Sequence, residues 1–160
     1  MEKCKKISGT WRGFYDYLKP ESLATTGRVP FTLVIKQGWF WRFAGTVTEE
    51  QPLGMPGNGR VEGYFSFPRV EFTKRMPVGY FRSGEGDQVS MTDYVRSLGI
   101  QCEGNLPHPP IFYEGTFCET GRVKGTWIIQ PTQIPLPGGN SLPMSGASGD
   151  WQIEFQAAAQ

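Results

Sequence analysis

The sequence predicts an all-β protein, a single antiparallel eight-stranded up-and-down β-barrel with one short helix between its fifth and sixth strands. Eight short runs alternate apolar and polar residues, as strands do when one face is buried and the other wet. Gly and Pro make up 34 of 160 residues, which suits a chain that turns often. Helical spacing of apolar residues is confined to one stretch near residue 95. Parallel sheets covered on both faces read as continuous apolar runs, so one-sided strands imply antiparallel pairing. Eight of them on mostly short connections remove their unpaired edges by closing.

The first run, Gly9 to Tyr17, places Trp11, Tyr15 and Tyr17 on one face and Arg12 and Asp16 on the other. The second, Phe31 to Gln37, turns Phe31, Leu33 and Ile35 inward and ends in a tight turn at Gln37-Gly38. The third carries Trp41, Phe43, Gly45 and Val47 inward. A Pro/Gly-rich loop, Gln51 to Asn58, leads to the fourth, with Val61, Gly63 and Phe65 inward. A Phe67-Pro68 corner opens the fifth, with Val70 and Phe72 inward. The sixth is Ile111 to Phe117, with Tyr113 and Phe117 inward. The seventh, Arg122 to Ile129, points Val123, Gly125, Trp127 and Ile129 inward. The last, Asp150 to Phe155, points Trp151, Ile153 and Phe155 inward. Gly45, Gly63, Gly115 and Gly125 are expected where the barrel coils over bulky neighbours, since Gly inside a strand marks a bend or close approach.

Two segments interrupt the meander of a single domain spanning 1–160. In the 76–110 insertion, Ser90-Met-Thr-Asp93 has the form of a capping box. Met91, Tyr94, Val95 and Leu98 follow at helical spacing, and Gly99 stands at the C-terminal stop. This short helix is expected at a barrel mouth, as a lid or as a plug. The second segment, 131–149, is Pro/Gly-rich and reads as an irregular loop.

A net charge of +1 and a pI near 7.7 argue against a nucleic-acid partner. No apolar run reaches the roughly 18 residues of a membrane span. Cys4, Cys102 and Cys118 are odd in number and widely spaced, which favours a reduced, cytoplasmic protein over a disulfide framework. Three Cys and one His do not form a zinc signature, so no metal and no cofactor is expected. His108, between prolines in Leu106-Pro-His-Pro-Pro110, reads as a surface-loop residue without a nucleophile beside it. Glu62, Glu71, Glu114 and Glu154 fall on outward positions, where cross-strand cations can oppose them. Gly84-Glu-Gly86 is too short for a phosphate loop. The sequence is therefore read as non-enzymatic.

The inner face is the remaining candidate. Trp11, Tyr15, Trp41, Phe43, Tyr113, Trp127 and Trp151 would form the walls of a ligand site, with phenols and indole N–H groups as its polar handles. The opening Ser8-Gly-Thr-Trp-Arg-Gly13, followed by seven further strands, resembles the calycin barrels, namely lipocalins, fatty-acid-binding proteins and avidins. That resemblance implies carriage of a small hydrophobic molecule in a site at the open end. It departs from the lipocalin pattern, because Asp150-Trp-Gln-Ile-Glu-Phe155 lacks the basic residue that pairs with the first-strand Trp. It departs from the avidin pattern because Gly13 and Tyr17 stand where the Asn and Ser that hold biotin would be. The leading expectation is non-catalytic binding of a small, largely apolar ligand, with the helix near Tyr94 restricting access. The alternative is a fully packed barrel that serves as a structural or protein-interaction module. Cavity volume discriminates them, since ligand pockets begin at roughly 300 Å³.

Overall fold

The computed structural model describes residues 7–17, 28–51, 53–82, 88–119 and 121–157. In chain order these form β1 (Gly9–Tyr15), β2 (Val29–Gln37), β3 (Arg42–Glu49), β4 (Asn58–Ser66), β5 (Arg69–Arg75), β6 (Tyr80–Arg82), β7 (Gln88–Ser90) and α1 (Met91–Ser97). They continue with β8 (Ile111–Glu119), β9 (Arg122–Ile129), β10 (Thr132–Pro135), β11 (Ser141–Met144) and β12 (Ala147–Ala157). Strands β1, β12, β9, β8, β5, β4, β3 and β2 pair in that order into a closed antiparallel barrel, and β2 returns to β1. These eight are the eight alternating runs of the sequence.

The two insertions carry small hairpins of their own. β6 pairs with β7, and β10 pairs with β11 inside the stretch expected to be irregular. Alternation over four residues with a Pro at Pro135 is too brief to stand out from a loop. Cys4 and the Gly84 to Gly86 fragment lie outside the described residues. Among the described residues, Cys102 and Cys118 are free thiols, and no helix is long and apolar enough to cross a membrane.

Alternation along each strand sets what is buried. In β2, Val29, Phe31, Leu33 and Ile35 are all at or below 2 % exposure, whereas Val34 between them is half exposed. The rings fill the barrel from end to end. Near the β2–β3 turn, Trp11 meets Phe117 and Phe155 edge-on at 6.0 and 5.3 Å. Midway, Phe72 stacks on Tyr113 at 4.6 Å and meets Trp151 edge-on at 5.4 Å. At the other end, Tyr15 and Tyr17 lie against Trp127 at 5.8 and 5.0 Å.

Closing so small a barrel brings adjacent backbones together. A Cβ on Gly125 would lie 1.8 Å from the Glu114 carbonyl oxygen, and one on Gly63 would lie 1.9 Å from that of Glu71. Both are among the glycines expected at close approaches.

Three expectations about facing are corrected. Trp41 is 62 % exposed, because the tight turn sits at Phe40 and Trp41 and not at Gln37-Gly38; β3 starts one residue later. Phe155 is 40 % exposed near the end of the last strand, with its ring against Trp11. In α1 the buried positions are Met91, Thr92 and Val95, and Tyr94 and Leu98 are exposed. The helix is capped as expected, with Ser90 Oγ accepting from the Asp93 N–H at 3.3 Å and Gly99 at φ +83°. It packs on the rest of its own insertion. Met91 Sδ occupies the space a Gly79 side chain would need, and Thr92 Oγ1 accepts from the Leu106 N–H at 2.9 Å.

Gly125→Val is expected to destabilise the barrel by at least about 3 kcal/mol, the upper part of the overpacking range, because backbone stands in the way. Urea denaturation followed by tryptophan fluorescence checks this, and a variant within 1 kcal/mol of the parent, on the order of error in such comparisons, would refute the close approach.

Candidate functional site

The barrel has two chemically different ends. At the mouth, where the 76–110 insertion joins, β1 and β3 end in Tyr15 and Glu49, and β5 carries Lys74 one residue before its end. Each continues the inward alternation of its strand, Glu49 after Phe43 and Val47, and Lys74 after Val70 and Phe72. Lys74 Nζ lies 2.8 Å from Glu49 Oε2, and the two side chains are 1 % and 0 % exposed. The Tyr15 hydroxyl donates to Glu49 Oε1 at 2.6 Å, and the Met55 N–H donates to the same oxygen at 3.2 Å. The ammonium also lies over the rings of Tyr15, Tyr113 and Phe31, at 4.5, 5.2 and 5.8 Å. A cation so enclosed is held both by its carboxylate and by the negative ring faces.

Burial works against charge on both partners, and their pairing overcomes it. Lys74 is raised above the ordinary lysine value and Glu49 is held below the ordinary carboxylate value by the Lys74 charge and three hydrogen bonds. Burial pushes the Tyr113 phenol up to about 12, and burial together with the Glu49 charge raises that of Tyr15, so both are neutral at pH 7.

His108, expected on a surface loop, is 7 % exposed. Its flanking prolines hold it in extended chain that crosses back over the mouth, with its N–H bonded to the Met76 carbonyl at 3.3 Å. Nδ1 lies 2.7 Å from the Pro109 carbonyl oxygen. Burial, assisted by the Lys74 charge, lowers its pKa, so its neutral form is favoured.

Beside this cluster is a cavity of about 50 Å³, lined by Tyr15, Tyr17, Met55, His108, Tyr113 and Trp127 among others. That is room for a few water molecules at roughly 10–15 Å³ each. No residue of α1 lines it.

Of the seven wall residues expected from the sequence, Trp11, Tyr15, Phe43, Tyr113, Trp127 and Trp151 point inward and Trp41 points out. Only Tyr15, Tyr113 and Trp127 reach the cavity. Their polar handles are engaged within the protein. Trp11 Nε1 donates to the Ile7 carbonyl at 2.8 Å, Trp127 Nε1 to that of Asp16 at 2.9 Å, and Trp151 Nε1 to those of Glu114 and Thr126 at 3.0 Å. Among the described residues no buried side-chain polar atom lacks a partner, and no cluster suited to a metal ion is present. The outward carboxylates are expected opposite Lys36, Arg42 and Lys124; instead Glu114 and Glu154 pair across strands with Arg69 and Arg122, and Glu71 pairs with Arg69 of its own strand.

At the opposite end is the β2–β3 hairpin. Trp39 and Phe40 are each 84 % exposed and Trp41 is 62 % exposed. The Arg42 N–H bonds to the Trp39 carbonyl at 3.1 Å, and the Gly38 N–H to that of Arg42 at 2.7 Å. Phe40 and Trp41, the two central residues, have φ of +52° and +66°. Positive φ at both centres marks a type I′ turn, a place ordinarily held by Asn-Gly because bulky side chains are strained there.

The chain matches no protein-family model and no curated protein.

Lys74→Met is expected to cost about 3–5 kcal/mol, since it leaves Glu49 buried without its counter-charge. Combining it with Glu49→Leu should restore most of that loss, and chemical denaturation of both variants separates pairing from mere burial. The pH dependence follows from the shifts. Glu49 is lowered, so its stabilisation is present above the unfolded value of about 4.3 and is lost as pH falls through its folded value. Lys74 is raised, so its contribution is present below about 10.4 and is lost as pH rises through its folded value. His108 is lowered, so below about 6.5 the unfolded chain takes up a proton that the folded one resists, and stability falls. His108→Asn should remove that first acid-side decline, read as thermal midpoint against pH. A decline that persists unchanged in the variant would mean another group is responsible.

Proposed function

We propose that the protein is a non-catalytic binding protein whose barrel is a solid scaffold and whose recognition surface is external, at the Trp39, Phe40 and Trp41 tip. One observation carries this reading. The interior is occupied by its own rings and by the Lys74–Glu49 pair, leaving about 50 Å³ against the roughly 300 Å³ at which ligand pockets begin. The largest indoles and phenols inside already have partners, whereas the three tip rings face solvent. The strongly shifted groups at the mouth bind one another and not an open cleft, which supports the non-catalytic reading.

A second reading is favoured by the mouth cavity itself. Its phenols and imidazole suit capture of a molecule of only a few atoms, a far smaller cargo than calycin-type carriage implies. Native mass spectrometry of the protein purified from its own source distinguishes the two. The expected spectrum is that of the bare chain. A stoichiometric adduct retained by the parent and lost in Trp127→Ala would overturn the solid-scaffold reading and move the site to the barrel.

A further inference from the structure

We propose that the β2–β3 tip is an anchor for a lipid surface, with Trp39, Phe40 and Trp41 entering the headgroup region of an anionic bilayer. This rests on the external-binding reading above and names its partner.

Four observations point the same way. The tip is convex, with three consecutive rings projecting from a two-residue turn, so a soft phase can surround all three where a flat protein face would cover one side of each. Trp is an interfacial residue in membranes, because its ring is apolar and its N–H seeks a polar neighbour. Tyr64, 51 % exposed, and Phe67, 54 % exposed, lie at the same end of the barrel, on β4 and on the β4–β5 turn. Tyr64 pairs with Arg42, and the Phe65 N–H bonds to the Trp41 carbonyl at 2.8 Å, so a rim of further rings adjoins the tip.

Charge is the third. Lys36 and Arg42 flank the turn on its two strands, exposed, and neither has a carboxylate partner among the described residues, whereas Arg69 and Arg122 nearby are paired. Cations beside an apolar tip match a surface of anionic headgroups. The barrel wall carries Arg12, Glu62 and Lys124 outward and exposes the cross-strand pair Phe112 and Ile128 at 44 % and 45 %, about half the exposure of Trp39 and Phe40.

The turn backbone is the fourth. Two bulky aromatic residues occupy left-handed positions that Asn-Gly would fill without strain. Strain of this kind is characteristic of residues held for a role other than folding.

Flotation with vesicles of phosphatidylcholine alone, and of phosphatidylcholine with phosphatidylglycerol, tests the proposal, read alongside tryptophan emission. The parent should float with both, more strongly and in a salt-sensitive way with the anionic vesicles, with a blue-shifted emission. A Trp39→Ser, Phe40→Asn, Trp41→Gly variant should partition at least roughly tenfold less, from the apolar area no longer transferred, while its thermal midpoint rises because the turn strain is relieved. Lys36→Gln with Arg42→Gln should weaken only the anionic component. Equal partition of parent and tip variant, or no flotation of the parent, overturns the lipid proposal. Sedimentation velocity then locates the failure. Self-association of the parent that the tip variant abolishes makes the partner a second copy and leaves the external-binding reading standing. A monomer that floats on neither vesicle overturns the tip as an anchor, and native mass spectrometry decides whether the external reading fails with it.

Discussion

The constraint on which the structure depends is the bore of an eight-stranded barrel, just wide enough for one layer of side chains from each strand. Every inward position must therefore be filled, and the rings from Trp11 through Phe72 and Trp151 to Trp127 do so in a continuous column. The same constraint forces charge to be neutralised where it enters. Glu49 and Lys74 come from strands separated by β4, so their bond ties β3 to β5 over the inner face of β4. A one-residue slip of either strand would reverse its facing and leave the other charge buried alone, at a cost of several kcal/mol. The pair thus penalises the wrong registers more than it strengthens the right one.

Much of the fold is legible in the sequence because period-two alternation is a direct record of facing. All eight barrel strands can be read that way, while the capping box at Ser90 and the close-approach glycines are legible from residue type and position. The candidate sites are less so. Glu49 and Lys74 lie in step with Phe43, Val47, Val70 and Phe72, so alternation carried two residues further places both inside. Hydrophobicity argues the opposite for charged residues, and the two signals conflict where the polar cluster forms. The displaced turn has the same origin. Gly38 is a strong turn signal, and the turn is instead made by Phe40 and Trp41, residues that turn chemistry disfavours. His108 is hidden for a different reason. Its burial depends on where the Leu106 to Pro110 segment crosses the barrel, which is a tertiary fact with no local periodicity.

The exceptions at Glu49, Lys74 and the β2–β3 turn share a physical cause. Local rules fail where a residue is retained against its own preference, which is the usual situation at functional or strained positions. The exceptions at the mouth resolve internally. The buried lysine finds a carboxylate and three rings, the carboxylate finds a phenol and a backbone N–H, and each indole inside finds a carbonyl. Among the described residues such a network leaves no buried side-chain polar atom without a partner.

The exceptions at the tip do not resolve. Trp39, Phe40 and Trp41 keep apolar area in water, and two of them hold left-handed backbone as well; the hydrogen bonds from the Arg42 and Phe65 N–H groups fix the turn without covering the rings. Exposure of single apolar residues is ordinary on protein surfaces, whereas a contiguous apolar patch signals interaction. Barrel closure explains why such a patch sits at a turn. Wall positions alternate in and out, so exposed apolar wall residues come singly or in cross-strand pairs such as Phe112 with Ile128, whereas a connection between strands can present three rings in succession. The scaffold's rigidity then serves the tip, since a turn anchored between two fully paired strands holds its rings outward in water instead of letting them fold back on the wall.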